Sequence, residues 1–169
     1  MAPMANNEHQ RMGTRLATIY DIVLGFDDEI SVCAGVNVTD REDDWTMNYR
    51  VPDAAVFLAG TKARDMRTHW LGGPNKAVEI ISPGDRTREK LPFYEKIGTR
   101  ELLLVDRDPW ALELYQLRSK KLKLVGRCTL EKPKVLESRV LPLDYTLVKG
   151  KRRPRIQVTH RETGQQWLV

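Results

Sequence analysis

Between residues 8 and 24 apolar side chains recur every three to four positions, with Met12, Leu16, Ile19 and Val23 on one face. That spacing predicts an amphipathic helix packed against a sheet. The pattern changes over ISVCAGVNVT (30 to 39), β-branched and alternating, which predicts a strand, and REDDWTMNYR (41 to 50) reads as a polar loop. A further strand is expected over VPDAAVFLA (51 to 59), followed by an irregular loop that ends in GGPN and by the strand KAVEIIS (76 to 82). The last of these is apolar on consecutive positions, so both of its faces should be covered.

PGDR (83 to 86) reads as a turn, and Lys90, Phe93, Tyr94 and Ile97 then follow at helical spacing, closed by Gly98. Because Pro92 would cost about 3 kcal/mol inside a helix, this helix is expected to begin near Arg88, with Lys90 in its first turn. ELLLVD (101 to 106) predicts a buried strand, and WALELYQLR with KKLKLVGR predicts a hairpin turning at Ser119 and Lys120. VLPLDYTLV, RIQVTH and QQWLV add outer strands, the last two joined through ETG. The implied class is α/β: a central mixed β-sheet flanked by helices, with additional C-terminal β-hairpins. The chain has 169 residues, 41% of them hydrophobic, and is read as a single domain.

The longest apolar runs, AVEII and LLLV, fall far short of the roughly 20 residues that span a bilayer. The start, MAPMANNEHQRMG, lacks the apolar stretch of a secretory signal, so the expected location is the cytoplasm. Cys33 and Cys128 form no CxxC pair and read as core residues, while His9, His69 and His160 lack zinc-site spacing. His69 reads as an exposed loop residue. Any metal must therefore sit on carboxylates. Charge is uneven: residues 118 to 155 hold 13 Lys/Arg against 3 Asp/Glu, a net of +10 in a chain whose total is +5. Such a segment suits phosphate contact or a solvated surface.

Glu79 breaks the pattern, because it lies mid-strand with apolar residues on both faces. An ionised carboxylate left unpaired there costs several kcal/mol. Strand alternation puts Glu79 on one face with Ala77 and Ile81, and Asp53 on one face with Ala55 and Phe57. If those faces coincide, two carboxylates converge, and hard oxygen ligands select Mg²⁺ or Mn²⁺. Lys90 shares its helical stripe with core residues and needs an acid. The residues alone leave a second reading open, in which Glu79 and Lys90 form a buried structural pair and Asp53 ends a turn after Pro52.

RVPDAAVF (50 to 57), AVEIISPGDRTREKLPFYEKIG (77 to 98) and ELLLVDRDPWALELYQL (101 to 117) together resemble a large bacterial family of restriction-endonuclease-like proteins in the PD-(D/E)XK superfamily. In most of that superfamily the lysine follows two residues after the glutamate, where this chain has Ile81. The family resembled here takes it from the next helix, matching Lys90. The resemblance implies that Asp53, Glu79 and Lys90 are catalytic and that Asp53, Glu79 and the carbonyl of Ile80 bind Mg²⁺, with Mn²⁺ an alternative. It implies hydrolysis of DNA phosphodiesters by metal-activated water, leaving a 5′-phosphate and a 3′-hydroxyl. Related nucleases often add an acid from the first helix, for which Glu8 is the residue in phase. Asn75 stands where some relatives carry an acid, which argues against a second metal position.

Arg86 and Arg88, beside the helix start, offer a phosphate seat or a solvated turn. Trp45 and Trp70 fall in the loops flanking the PD strand and either stack on bases, fill the core or make a dimer contact. Trp110 and Trp167 are expected to pack within strands. DNA is the expected partner and a homodimer the expected assembly, since two sites cut two strands most simply. The alternative function is a catalytically inactive nucleic-acid-binding or interaction module that retains the nuclease fold.

Overall fold

The computed structural model describes residues 7 to 82 and 86 to 169. Helix α1 (Asn7–Val23) is followed by β1 (Ser31–Cys33), β2 (Val38–Thr39), β3 (Tyr49–Arg50), β4 (Ala54–Phe57), β5 (Arg64–Asp65), β6 (Trp70–Leu71) and β7 (Lys76–Ile81). After helix α2 (Leu91–Lys96) come β8 (Glu101–Arg107), β9 (Trp110–Arg118), β10 (Lys121–Cys128), β11 (Leu136–Glu137), β12 (Leu143–Val148), β13 (Arg155–His160) and β14 (Gln166–Leu168). The central sheet runs β1-β4-β7-β8-β9-β10. It is mixed, because β7 and β8 pair in parallel while its other neighbours are antiparallel. β11-β12-β13-β14 form an antiparallel C-terminal sheet, and β3-β2-β6-β5 a small third one.

Two apolar layers sandwich the central sheet. Met12, Leu16, Ile19 and Tyr20 of α1, with Leu143, Tyr145 and Ile156 of the C-terminal sheet, cover the face carrying Ala54, Val56, Val78 and Ile80. Phe93 and Tyr94 of α2 cover the other, against Ala55, Phe57, Ala77, Leu102 and Leu104. Every residue of β7 is buried, which accounts for its unbroken apolar run. Each fully buried Leu, Ile or Phe in these layers contributes about 1.5–3 kcal/mol.

Local details depart from expectation. ISVCAGVNVT divides between β1 and β2, which belong to different sheets, because Gly35 takes a positive φ of 74° and turns the chain between them. The helix expected near Arg88 begins as a 3-10 turn over Thr87–Lys90, and α2 proper starts at Leu91 with Pro92 in its first turn, where the missing N–H costs nothing. The turn read at PGDR lies, apart from Arg86, outside the described residues. Ser119 and Lys120 both adopt positive φ, 50° and 63°, the backbone twist that a two-residue hairpin requires. His69, read as exposed, is 6% exposed and stacks on Trp45 with centroids 4.5 Å apart. Trp70 lies in β6 rather than a loop and stacks on Phe57 at 3.8 Å, so it fills the core. Among the described residues no helix is long and apolar enough to cross a membrane.

A second charged residue of β7, Lys76, points away from α2 into the seam between the central and C-terminal sheets and is fully buried. Its Nζ donates to Glu101 Oε1 at 2.5 Å and lies 4.7 Å from the centre of the Tyr145 ring. Glu101 also accepts from Ser138 Oγ at 2.6 Å, the Arg139 N–H at 2.8 Å and Gln116 Nε2 at 3.2 Å. Burial pushes the Glu101 carboxyl up, but Lys76, the Ser138 hydroxyl and the Arg139 N–H hold it below the usual glutamate value. The stabilisation from Glu101 is therefore present above the ordinary carboxylate range and is lost as pH falls through its lowered folded value.

Lys76→Met leaves Glu101 buried without its cation, and chemical denaturation is expected to show a loss of about 3–5 kcal/mol. Adding Glu101→Gln to that variant should restore part of the loss. A loss below about 1 kcal/mol in the single variant would rule out this pair as the link between the two sheets.

Candidate active site

Pairing of β4 with β7, Ala54 opposite Val78, brings Asp53 and Glu79 to the same end of the sheet. The Asp53 N–H donates to the Val78 carbonyl at 2.9 Å, and Asp53 Oδ2 accepts from the Ile80 N–H at 2.6 Å. Two backbone-anchored bonds thus fix Asp53 relative to the residues on either side of Glu79. Glu79 is 2% exposed. Its Oε2 accepts from Lys90 Nζ at 2.8 Å and its Oε1 from the Tyr94 hydroxyl at 2.5 Å. The 3-10 turn carries Lys90 and the first turns of α2 carry Tyr94, so one short segment delivers both donors.

Burial raises the Glu79 carboxyl above its ordinary value; Lys90 and Tyr94 oppose the shift, and the charge of Asp53 adds to it. The two carboxylates therefore repel each other. Burial and Glu79 together push the Tyr94 phenol well up, so it stays protonated and donates. Asp53 and Lys90 keep side-chain exposures of 20% and 27%, against 3% for Glu79, so the site opens to solvent on their side.

His9, which spacing arguments passed over, completes the Asp53 environment. Its Nε2 lies 2.6 Å from Asp53 Oδ1, and its Nδ1 3.2 Å from Ser82 Oγ, which in turn accepts from Arg107 Nη2 at 3.1 Å. Helix α1 can approach this closely because residue 13 is glycine: a Cβ there would stand 3.0 Å from the Asp53 carbonyl oxygen. The detectable signal was phase, since His9 shares the buried face with Met12, Gly13 and Leu16. Glu8 turns aside and pairs with Arg107 at 3.3 Å and with Arg153.

The expected phosphate seat is rearranged. Arg88 donates to Glu113 Oε1 at 2.9 Å and to Asp106 Oδ2 at 3.1 Å, clamping the 3-10 turn onto β8 and β9, and its guanidinium is held firmly charged by them. Arg86 is 82% exposed, 3.9 Å from Glu89. Asn75 is structural: its Oδ1 accepts the Leu58 N–H at 2.8 Å where β4 ends.

Among the described residues no three His, Cys, Asp or Glu side chains enclose an ion by themselves. Magnesium is commonly held by one or two carboxylates and completes its shell with water. Asp53, Glu79 and the Ile80 carbonyl are all hard oxygen donors, and two mutually repelling carboxylates beside an open face fit such an ion.

Because the folded protein holds the Glu79 proton more tightly than the unfolded chain, this group adds stability as pH falls through its raised value and is a net cost above it. Glu79→Gln is therefore expected to melt higher than the wild type near pH 8, with a gap that narrows on acidification. A variant that melts lower throughout would mean that Lys90 and Tyr94 outweigh the burial cost.

The sequence matches the model of the Uma2 family, described as "Putative restriction endonuclease", over residues 1–149. No curated protein matches it. The structure is similar to the crystal structure of "a putative nuclease belonging to DUF820 from Anabaena variabilis ATCC 29413", with a TM-score of 0.55 and 19% identity. That match covers 72% of this chain and 69% of the other, and at this identity it supports the fold. With most of its length matched and a nuclease-like mixed sheet at its centre, the chain belongs to the Uma2 family of restriction-endonuclease-like proteins.

Proposed function

We propose that this chain is a metal-dependent endonuclease that hydrolyses phosphodiester bonds of DNA. The observation carrying the reading is that Asp53 and Glu79 meet on adjacent strands with the Lys90 ammonium on Glu79 Oε2. Asp53, Glu79 and the Ile80 carbonyl would hold Mg²⁺, or Mn²⁺ in its place. Bound there, the ion would supply a water of lowered pKa and charge neutralisation at the phosphate.

The remaining work belongs to the protein. Lys90 places a positive charge beside the carboxylates, where negative charge develops on a phosphate under attack, and it needs no reorganisation to do so. Tyr94 and Lys90 fix the Glu79 rotamer from one side of the sheet. His9 and the Ile80 N–H fix Asp53. The water oxygen forms a bond to phosphorus, the bond to the leaving ester oxygen breaks, and that oxygen takes up a proton.

A second reading is an inactive nucleic-acid-binding module, favoured by the fact that both Glu79 oxygens already carry protein partners. It predicts salt-sensitive DNA binding indifferent to metal.

Melting separates the two without knowledge of the substrate. Metal at 100 times its dissociation constant should add about 2.7 kcal/mol to the wild type, while Asp53→Asn should be insensitive to metal and more stable than the wild type in its absence. Cleavage of supercoiled, duplex or single-stranded DNA, or of RNA, should exceed that of Glu79→Gln. No metal stabilisation and no cleavage above that control would sink the nuclease reading. His9→Ala, with Asp53 less constrained, is expected to weaken metal affinity about 10–100-fold in the same melting assay.

A further inference from the structure

The cations around the candidate active site are nearly all committed to acids. Lys90 is bonded to Glu79, Arg88 to Glu113 and Asp106, and Arg107 to Glu8 and the Ile81 carbonyl. Arg50 differs. Its guanidinium carbon lies over the Phe93 ring, 4.9 Å from the centroid, and one nitrogen, Nη1, donates to the Tyr49 carbonyl at 2.7 Å. It has no carboxylate partner among the described residues.

Two observations place this group at the site. Arg50 stands three residues before Asp53, a span of at most roughly 11 Å of extended chain. Phe93, which supports it, lies between Lys90 and Tyr94 on the segment that delivers both Glu79 donors. An arginine carries five N–H donors in a planar fork, and here most remain unused. Its ring support orders it in advance, so little freedom is left to lose when an anion arrives.

We infer that Arg50 is the phosphate-contacting residue of this site, binding the nucleic-acid backbone next to the bond that is cut, in the role that position would have given to Arg86 and Arg88. The assignment rests on the nuclease reading above. The acids of the preceding loop do not cancel it: Asp40 is paired with Lys96 and Glu42 with Arg64, which leaves Arg41, Asp43 and Asp44 as that loop's unpaired charges, a net of −1. Arg50 thus supplies the local attraction for a backbone that this loop would otherwise repel.

The test uses Arg50→Met, which keeps a long apolar stem against Phe93 and removes the charge, with Arg50→Lys and Arg86→Ala beside it. Binding of a short fluorescein-labelled DNA duplex and of the matching single strand is titrated in EDTA over a range of salt concentrations. Arg50→Met is expected to bind about 10-fold more weakly and to lower the salt slope by about one, whereas Arg50→Lys keeps the slope and loses affinity. Arg86→Ala should change little, and melting of all three should stay near the wild type. Wild-type affinity and slope in Arg50→Met would overturn the assignment while leaving the nuclease reading intact. If the wild type itself binds neither DNA, the assignment falls, and the nuclease reading is decided separately by the metal melts and the cleavage assay.

Discussion

Complete burial of β7 is the constraint on which the rest of the structure depends. Water reaches neither face, so each charged residue on the strand must find its partner within the protein. Lys76 does so on the α1 side through Glu101, and Glu79 on the α2 side through Lys90 and Tyr94. One pair joins the central sheet to the C-terminal sheet; the other joins it to the segment that closes the candidate active site. The strand thus gathers the architecture on one face and the chemistry on the other.

That arrangement ties the site to stability in opposite senses. Lys76 and Glu101 are locked together with three further donors and a tyrosine ring, so their charges are satisfied at home. Glu79 is held less comfortably, with its carboxyl raised by burial and by Asp53 across the gap. Residual repulsion between two fixed carboxylates is the feature expected of a site built around a cation, since a purely structural pair would have no use for Asp53. Arg88 shows the contrasting case, where a cation near the site is fully neutralised and serves to anchor the 3-10 turn.

Much of this was legible from residue patterns. The helical stripe of α1, the continuous run of β7 and the hairpin at Ser119 and Lys120 all follow from periodicity and local backbone preference. Glu79 and Lys90 could be singled out because a charge at an apolar position is an anomaly whatever the fold. Lys76 escaped the same argument only because it stands at the start of its strand, where a lysine reads as a flank. His69 escaped because a polar residue in an irregular loop looks solvated until Trp45 is found stacked on it.

By itself, then, the sequence determined which residues cannot be left alone: the buried acid, the inward lysine and the faces that must be covered. These follow from the local cost of charge in an apolar run and need no knowledge of distant neighbours. Only the tertiary structure decided the partners. That His9 and not Glu8 meets Asp53, that Arg88 is claimed by Glu113 and Asp106, and that Arg50 is left with its donors free depend on how closely α1 approaches β4 and on which strand ends adjoin the 3-10 turn. Contacts of that kind join residues tens of positions apart, and no short-range pattern carries them, because they are set by packing across the sheet rather than along the chain.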